Sequence, residues 1–218
     1  MSAFVLIPGA GGAAWYWHRV VPELRARGHD AVAVDLPGAD QSSGLPEYTD
    51  AVVAAIGDRD DVVLVAQSLG AFTAPMVCAR VPVGLLVLVN AMVPLPGETP
   101  GQWWDNTGWE AARVAAAEKG GYPVEFDLAT YFLHDVPAEV AAAGAGQERP
   151  EAEVVFGQPC AIDRWRTSPH MCSPQPRTGS SPWNSSAEWP TTGSACPPTR
   201  SPAGTWLPCR ARSRSWSD

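Results

Sequence analysis

Over the first ninety residues, short uninterrupted apolar runs alternate with stretches of helical spacing. Residues 4–7 run apolar into Pro8-Gly9, and 31–34 do the same into Asp35-Leu36-Pro37-Gly38; 62–65 and 85–89 repeat the pattern. Runs this short and this apolar predict strands buried on both faces, as in a parallel sheet. Between the first two, Val20, Val21 and Leu24 recur at helical spacing, and Arg25, Arg27 and Gly28 close the segment with basic residues and a glycine stop. A second helix is predicted over 71–80. Strands alternating with helices predict an α/β chain with right-handed crossovers. Beyond Asn90 the alternation lapses into Pro94, Pro96, Gly97, Pro100 and Gly101, followed by helical pieces around 109–119 and 136–143. The stretch from about 95 to 160 therefore reads as a small helical cap inserted over the edge of a core spanning 1–165.

At Arg166 the pattern stops. Through Trp165 the chain has 9 basic and 21 acidic residues, net −12, whereas 166–218 has 6 basic and 2 acidic, net +4. The last 53 positions contain 11 Ser and 9 Pro, one Leu (Leu207), and no Val, Ile, Phe or Tyr. So little apolar surface cannot offset chain entropy, and the tail is expected to be disordered or out of frame. The core's last strands are then expected to be missing.

Taken whole, 218 residues suit one globular domain of ordinary size. A formal charge of −8 argues against a nucleic-acid partner. No apolar run of about 18 residues spans a membrane. The start passes from Met1 straight to a glycine-rich turn, unlike a secretory leader, so a cytoplasmic protein is expected. Cys78, Cys160, Cys172, Cys196 and Cys209 are odd in number and lack C-x-x-C spacing, which indicates neither a disulfide framework nor a zinc site. No cofactor or metal is expected.

The chemistry concentrates where the third apolar run ends. Ala66-Gln67-Ser68-Leu69-Gly70 sets a serine between a strand and a helix, with small residues two positions to either side. Such flanks let strand and helix backbones approach closely and leave the serine exposed at the carboxyl edge of the sheet. A helix-capping role would also suit a serine here. The arrangement resembles the G-x-S-x-G nucleophile elbow of the α/β-hydrolase family, with Ala66 in place of the first glycine. Leu6-Ile7-Pro8-Gly9-Ala10-Gly11 resembles the family's oxyanion loop, with Pro8 in place of the usual His. Trp15-Tyr16-Trp17, Val21-Pro22-Glu23-Leu24 and Asp35-Leu36-Pro37-Gly38 resemble its small plant-type esterase and hydroxynitrile-lyase branch. The resemblance covers most of 4–165. It implies an α/β-hydrolase fold, Ser68 as nucleophile, an oxyanion hole formed by the backbone N–H groups of Ala10 and Leu69, and a small carboxylic ester or similar acyl compound as substrate.

Two competing readings accompany this one. Gly9, Gly11 and Ala14 also satisfy the G-x-G-x-x-A fingerprint of an NAD(P)-binding oxidoreductase, with Asp35 about 20 residues on. Against it, Trp15, Tyr16 and Trp17 crowd the entrance a pyrophosphate needs. A non-catalytic hydrolase fold that binds a small hydrophobic ligand or a protein would keep Ser68 without needing a base. Trp103, Trp104, Tyr131 and Phe132 are candidates to line an acyl pocket or simply to pack the cap.

The family's triad runs Ser, then Asp or Glu, then His. Here His18 and His29 precede Ser68, His134 lies in the cap, and His170 opens the tail, with no histidine after it. His29 reads as a solvated helix-end residue, and Asp127, Asp135 and Asp163 as surface or cap carboxylates. The tail's composition suggests a cause. Trp and Cys codons begin with TG, so moving the frame back one base turns Trp183, Trp189, Trp206, Trp216, Cys172, Cys196 and Cys209 into Leu, Val or Met together. Under a GC-rich codon usage, suggested by one Lys against fourteen Arg, 167–188 can be reread as DVPTHVLAAAEDGFFPVEFQRR and 200–212 as roughly IPGGHLAALSRPE. These resemble the family's acid-bearing strand and histidine loop. A frameshift is therefore expected to have removed both residues and impaired this chain.

Overall fold

Strand β1 (Ala3–Ile7) and strand β2 (Asp30–Ala33) pair in parallel, from Ala3 opposite Asp30 to Leu6 opposite Ala33. On the other side of β1 lies β3 (Val62–Gln67), whose first five residues are all buried, as a central parallel strand requires. β4 (Leu85–Val89) follows β3 in parallel register, Val63 opposite Leu85 through Gln67 opposite Val89. The computed structural model describes residues 1–165 and, beyond them, only the backbone of 171–172, 199–200 and 206–207.

Helices cover both faces. α1 (Val20–Ala26) and a 3-10 turn at Ala14–Trp17 lie over one face, where Leu6, Trp17, Ala31, Val63 and Val65 form a small core. α2 (Leu45–Ile56) and α3 (Gly70–Arg80) cover the other, with Val5, Ile7, Tyr48, Val52, Leu64, Phe72 and Val77 between them and the sheet. The apolar periodicity does not predict α2. Its signal is nonetheless local: Glu47 accepts from the Gly44 N–H at 2.7 Å, Pro46 sits in the first turn, and buried Leu45, Tyr48, Thr49, Val52 and Ile56 make one helical stripe.

After β4 come α4 (Pro100–Thr107), α5 (Trp109–Gly120), α6 (Leu128–Phe132), α7 (Ala138–Gly144) and α8 (Val154–Gly157). α4 starts on a reciprocal cap, in which Thr99 accepts from the Gln102 N–H at 3.1 Å and the Gln102 side chain accepts from the Thr99 N–H at 3.0 Å. The chain then returns to the main core, where Ala152, Val155 and Cys160 are fully buried. Burial, with Glu98 adding to it, pushes the Cys160 thiol up to about 12, so it behaves as a packed apolar group rather than a nucleophile.

Beyond β4, the two residues of β5 (Met171–Cys172) pair with its edge in parallel, Met171 opposite Leu86 and Cys172 opposite Val87. A parallel edge offers a row of open N–H and C=O groups, and any nearby extended backbone can satisfy them whatever its side chains. The sheet order is thus β2-β1-β3-β4-β5, and β6 (Thr199–Arg200) with β7 (Trp206–Leu207) forms a separate antiparallel pair. The expected disorder of the rest of 166–218 lies outside the described residues.

Candidate active site

The connection leaving β1 runs to β2 on one side and that leaving β3 runs to β4 on the other, so a crevice opens between the carboxyl ends of β1 and β3. Ser68 stands at that crevice. Its φ is +48°, in the left-handed region that non-glycine residues seldom enter. Such a conformation costs about 1–3 kcal/mol and persists only where its surroundings over-determine it. Here the Ser68 N–H donates to Val89 O at 3.1 Å, and Ser68 O accepts from the N–H groups of Met92 and Ala71, each at 3.1 Å. The end of β4 and the first turn of α3 thereby fix the bend from both sides.

Close packing explains the small residues around it. A Cβ on Gly70 would lie 2.6 Å from Pro8 O and 2.9 Å from an Ile7 methyl, so no larger residue lets the start of α3 lie against the end of β1. A Cβ on Gly9 would lie 2.9 Å from the Ser68 Cβ. Gly9 therefore belongs to the wall of the Ser68 site. Ala66 is fully buried in the sheet, where its one extra methyl is accommodated.

The loop after β1 is bound at almost every donor. Gly9 N–H donates to Gln67 Oε1 at 3.1 Å, Gly11 N–H to Glu151 Oε2 at 2.9 Å, and Gly12 N–H to Gly9 O at 3.1 Å. Among the described residues the N–H groups of Ala10 and Leu69 donate to no hydrogen bond. Ala10 is exposed, and Leu69 precedes the first turn of α3, whose dipole adds partial positive charge there.

Asp35 is already committed. Its Oδ1 accepts from the Ala14 N–H at 2.9 Å and pairs with Arg149 at 3.2 Å, so it braces the loop in the position a dinucleotide's ribose would need.

The histidines are elsewhere. His18 stacks on Trp15 with ring centroids 4.2 Å apart, and its Nδ1 meets Trp15 O at 2.8 Å. His29 is not fully solvated as expected; its ring packs edge-on against Phe4 at 5.0 Å and its Nδ1 is buried without a partner, because the turn after α1 folds it back over β1. His134 is exposed in the cap, and His170 lies outside the described residues. Neither His18 nor His29, nor any other group among the described residues, hydrogen-bonds the Ser68 hydroxyl. Asp127 caps α6, accepting from Thr130 N–H at 2.8 Å, while Asp135 and Asp163 are exposed.

The cap aromatics pack mainly on one another. Trp104 meets Trp103 and Trp109 edge-on at 5.3 and 4.6 Å, Trp103 Nε1 donates to Val93 O, and buried Tyr131 donates to Pro123 O, whereas Phe132 is 44% exposed. A recess of about 900 Å³ opens between Pro75 and Ala79 of α3 and residues 161–165, away from Ser68. Sequence reasoning had singled out neither Gln67, Tyr48 nor Glu151. Gln67 was visible as the neighbour of Ser68, but nothing local could tie Tyr48 and Glu151, 103 positions apart, to one contact.

Comparison with known proteins agrees with this geometry. The chain is 32% identical over 141 residues to Methylesterase 3 of Arabidopsis thaliana, covering 56% of this chain and 54% of that protein. It is 39% identical over 112 residues to Probable esterase PIR7A of Oryza sativa subsp. indica, covering 45% and 42%. The chain thus spans about half the length of these curated relatives. Among solved structures, an extracellular alpha/beta-hydrolase from a Paenibacillus species matches with a TM-score of 0.63 at 22% identity, covering 79% of this chain and 76% of that one. Polyneuridine aldehyde esterase matches with a TM-score of 0.57 at 21% identity, covering 77% and 75%, and both likenesses speak to the fold. The family model for the alpha/beta hydrolase family matches residues 4–210, nearly the whole chain, and with the bent serine at the switch point this makes the chain a member of that family.

Proposed function

We propose that this chain derives from a serine esterase acting on a small carboxylic ester or similar acyl compound, and that Ser68 is its nucleophile. The observation that carries the reading is the left-handed Ser68 at the end of β3, beside two backbone N–H groups with no acceptor among the described residues. Ser68 Oγ attacks the carbonyl carbon, and the Ala10 and Leu69 N–H groups receive the negative charge that develops on the carbonyl oxygen. The hydroxyl proton goes to a base and then to the departing alkoxide. The esterase names of the relatives support the substrate class.

The base and the acid belong to the C-terminal segment in its other frame. The break in composition at Arg166 supports that account. In the protein as it stands, ester turnover is expected to be weak. Serine hydrolases stripped of triad members retain about 10³–10⁴-fold catalysis over water from the oxyanion hole and binding alone. A cytoplasmic setting and the division into core, cap and tail form part of the same proposal.

A fluorophosphonate tests the nucleophile on a frame-restored protein: labelling is expected, and labelling that survives Ser68→Ala overturns the assignment. Nucleotide sequence around Trp165 tests the frameshift directly. Robust Ser68-dependent hydrolysis of a p-nitrophenyl ester by the chain as written would place the base on a surviving residue and sink the frameshift account. One observation favours a second reading, a non-catalytic binder of small hydrophobic ligands: no imidazole among the described residues meets the Ser68 hydroxyl. Tight ligand binding without turnover, even after frame restoration, would favour it.

A further inference from the structure

Glu151 does not touch Ser68, yet it holds the loop beside it. Its Oε2 accepts from the Gly11 N–H at 2.9 Å, and its Oε1 accepts a short hydrogen bond from the Tyr48 hydroxyl. Two residues earlier, the Arg149 N–H donates to Gly11 O at 3.1 Å, so both polar groups of the Gly11 peptide backbone are taken by one returning segment. That segment follows α7 and leads into α8, which makes it the connection from cap back to core. It is itself fixed. Gly38 admits the passing backbone, since a Cβ there would lie 2.5 Å from Pro150 O. The Gln41 Oε1 accepts from the Glu153 N–H at 3.2 Å, and Tyr48 is fixed in the core at 1% exposure.

These contacts determine what is left over. Of the four N–H groups from Gly9 to Gly12, the first is held by Gln67, the third by Glu151 and the fourth within the loop, and that of Ala10 meets no acceptor among the described residues. We propose that Glu151, anchored by Tyr48, is a positioning residue that sets the Ala10 N–H as an oxyanion donor and so couples the cap's return segment to the catalytic loop. This rests on the oxyanion role given above to Ala10. Burial, and after it the Glu151 carboxylate, raise the Tyr48 hydroxyl well above its ordinary pKa, so the anchor stays a donor throughout the neutral range.

Glu151→Gln keeps an oxygen for the Gly11 N–H, Glu151→Ala removes it, and Tyr48→Phe removes only the anchor. The experiment reads the Gly11 and Ala10 amides of the full chain by NMR shift and hydrogen exchange, alongside hydrolysis of p-nitrophenyl acetate by the same variants, and by Ser68→Ala, made in the frame-restored protein. In Glu151→Ala the Gly11 amide is expected to lose its downfield shift and exchange faster. The Ser68-dependent kcat should fall about 10- to 100-fold with KM little changed, as misplacement of a catalytic group does. Glu151→Gln should restore most of both, and Tyr48→Phe should fall between.

An unchanged Gly11 amide in Glu151→Ala, or a loss that Glu151→Gln does not rescue, overturns the proposal. Should turnover prove independent of Ser68, the esterase reading fails and the amide shifts alone decide whether Glu151 holds the loop. A Glu151→Ala chain that does not fold leaves Tyr48→Phe to decide: an unmoved Gly11 amide there overturns the anchor.

Discussion

Glycines serve opposite ends in the elbow and in the cap. At the elbow, neither Gly9 nor Gly70 has a positive φ, and each is required for space, because a Cβ would strike Ser68 or the Pro8 carbonyl at 2.9 and 2.6 Å. In the cap, Gly108 joins α4 to α5 at φ +66° and has nothing within 4 Å of where a Cβ would lie, so it is required for conformation alone. The elbow is thus a packed device whose strain at Ser68 is held by the end of β4, Met92 just beyond it and the first turn of α3. The cap is a chain of short helices held by their own ends. Chemistry that needs a fixed atom sits on the first kind of structure, and a surface free to vary with substrate sits on the second.

The largest effect that could break this comparison is at Gly70. Gly70→Val must push α3 away from β1, and overpacking against backbone is expected to cost about 3 kcal/mol or more. Chemical denaturation of the full chain measures it. A loss under 1 kcal/mol would mean that the elbow is not limited by space.

Second comes Arg113, the buried cation of the cap. It pairs with Glu110 at 2.6 Å, donates to Val124 O, and lies over the rings of Trp109 and Tyr131 at 5.3 and 5.7 Å. Arg113→Met should loosen α5 and the 121–127 connection. Hydrogen exchange should rise there and stay unchanged in β3 and α3. Faster exchange spreading to the Ser68 amide would show that cap and elbow unfold as one unit.

How much of this was legible in the sequence follows the same division. The strands, α1, α3 and the bend at Ser68 were readable because each is encoded by contiguous residues: an apolar run, a stop, small flanks. The cap's helices were readable only in part, since α4 and α6 are set by capping side chains, Thr99 and Asp127, rather than by a long apolar stripe. The contacts that hold the loop after β1 were not readable at all. Glu151 reaches Gly11 across 140 residues, and no local pattern distinguishes that carboxylate from the solvated ones beside it. The base and acid that the proposal requires were not readable either: the sequence signals a break in composition over 166–218, and no group among the described residues hydrogen-bonds the Ser68 hydroxyl.

A smaller effect sharpens the contrast between the glycines. Gly108→Ala forces a side chain into the left-handed region without a clash, which costs about 1 kcal/mol. The free energy of unfolding should fall by that amount and the Ser68 amide should be unaffected. A much larger loss would mean that the α4–α5 corner is packed like the elbow.

The smallest expected effect concerns Asp127, exposed at the start of α6. Hydrogen bonds from the Thr130 hydroxyl and then the Thr130 N–H hold its carboxyl below the usual range. The folded state therefore binds this proton less readily than the unfolded state. The contribution is complete above the ordinary carboxylate pKa of about 3.9 and fades as pH falls through the lower folded value. Asn at this position still accepts from the Thr130 N–H but does not titrate, and it caps helices about as well as Asp. Asp127→Asn should leave α6 amide exchange unchanged at pH 7 and flatten its acid dependence between about pH 5 and pH 2. An equal acid dependence in the variant would assign the acid sensitivity of the cap to other carboxylates, and faster exchange at pH 7 would show that charge at the helix start, rather than the capping oxygen, holds α6 in place.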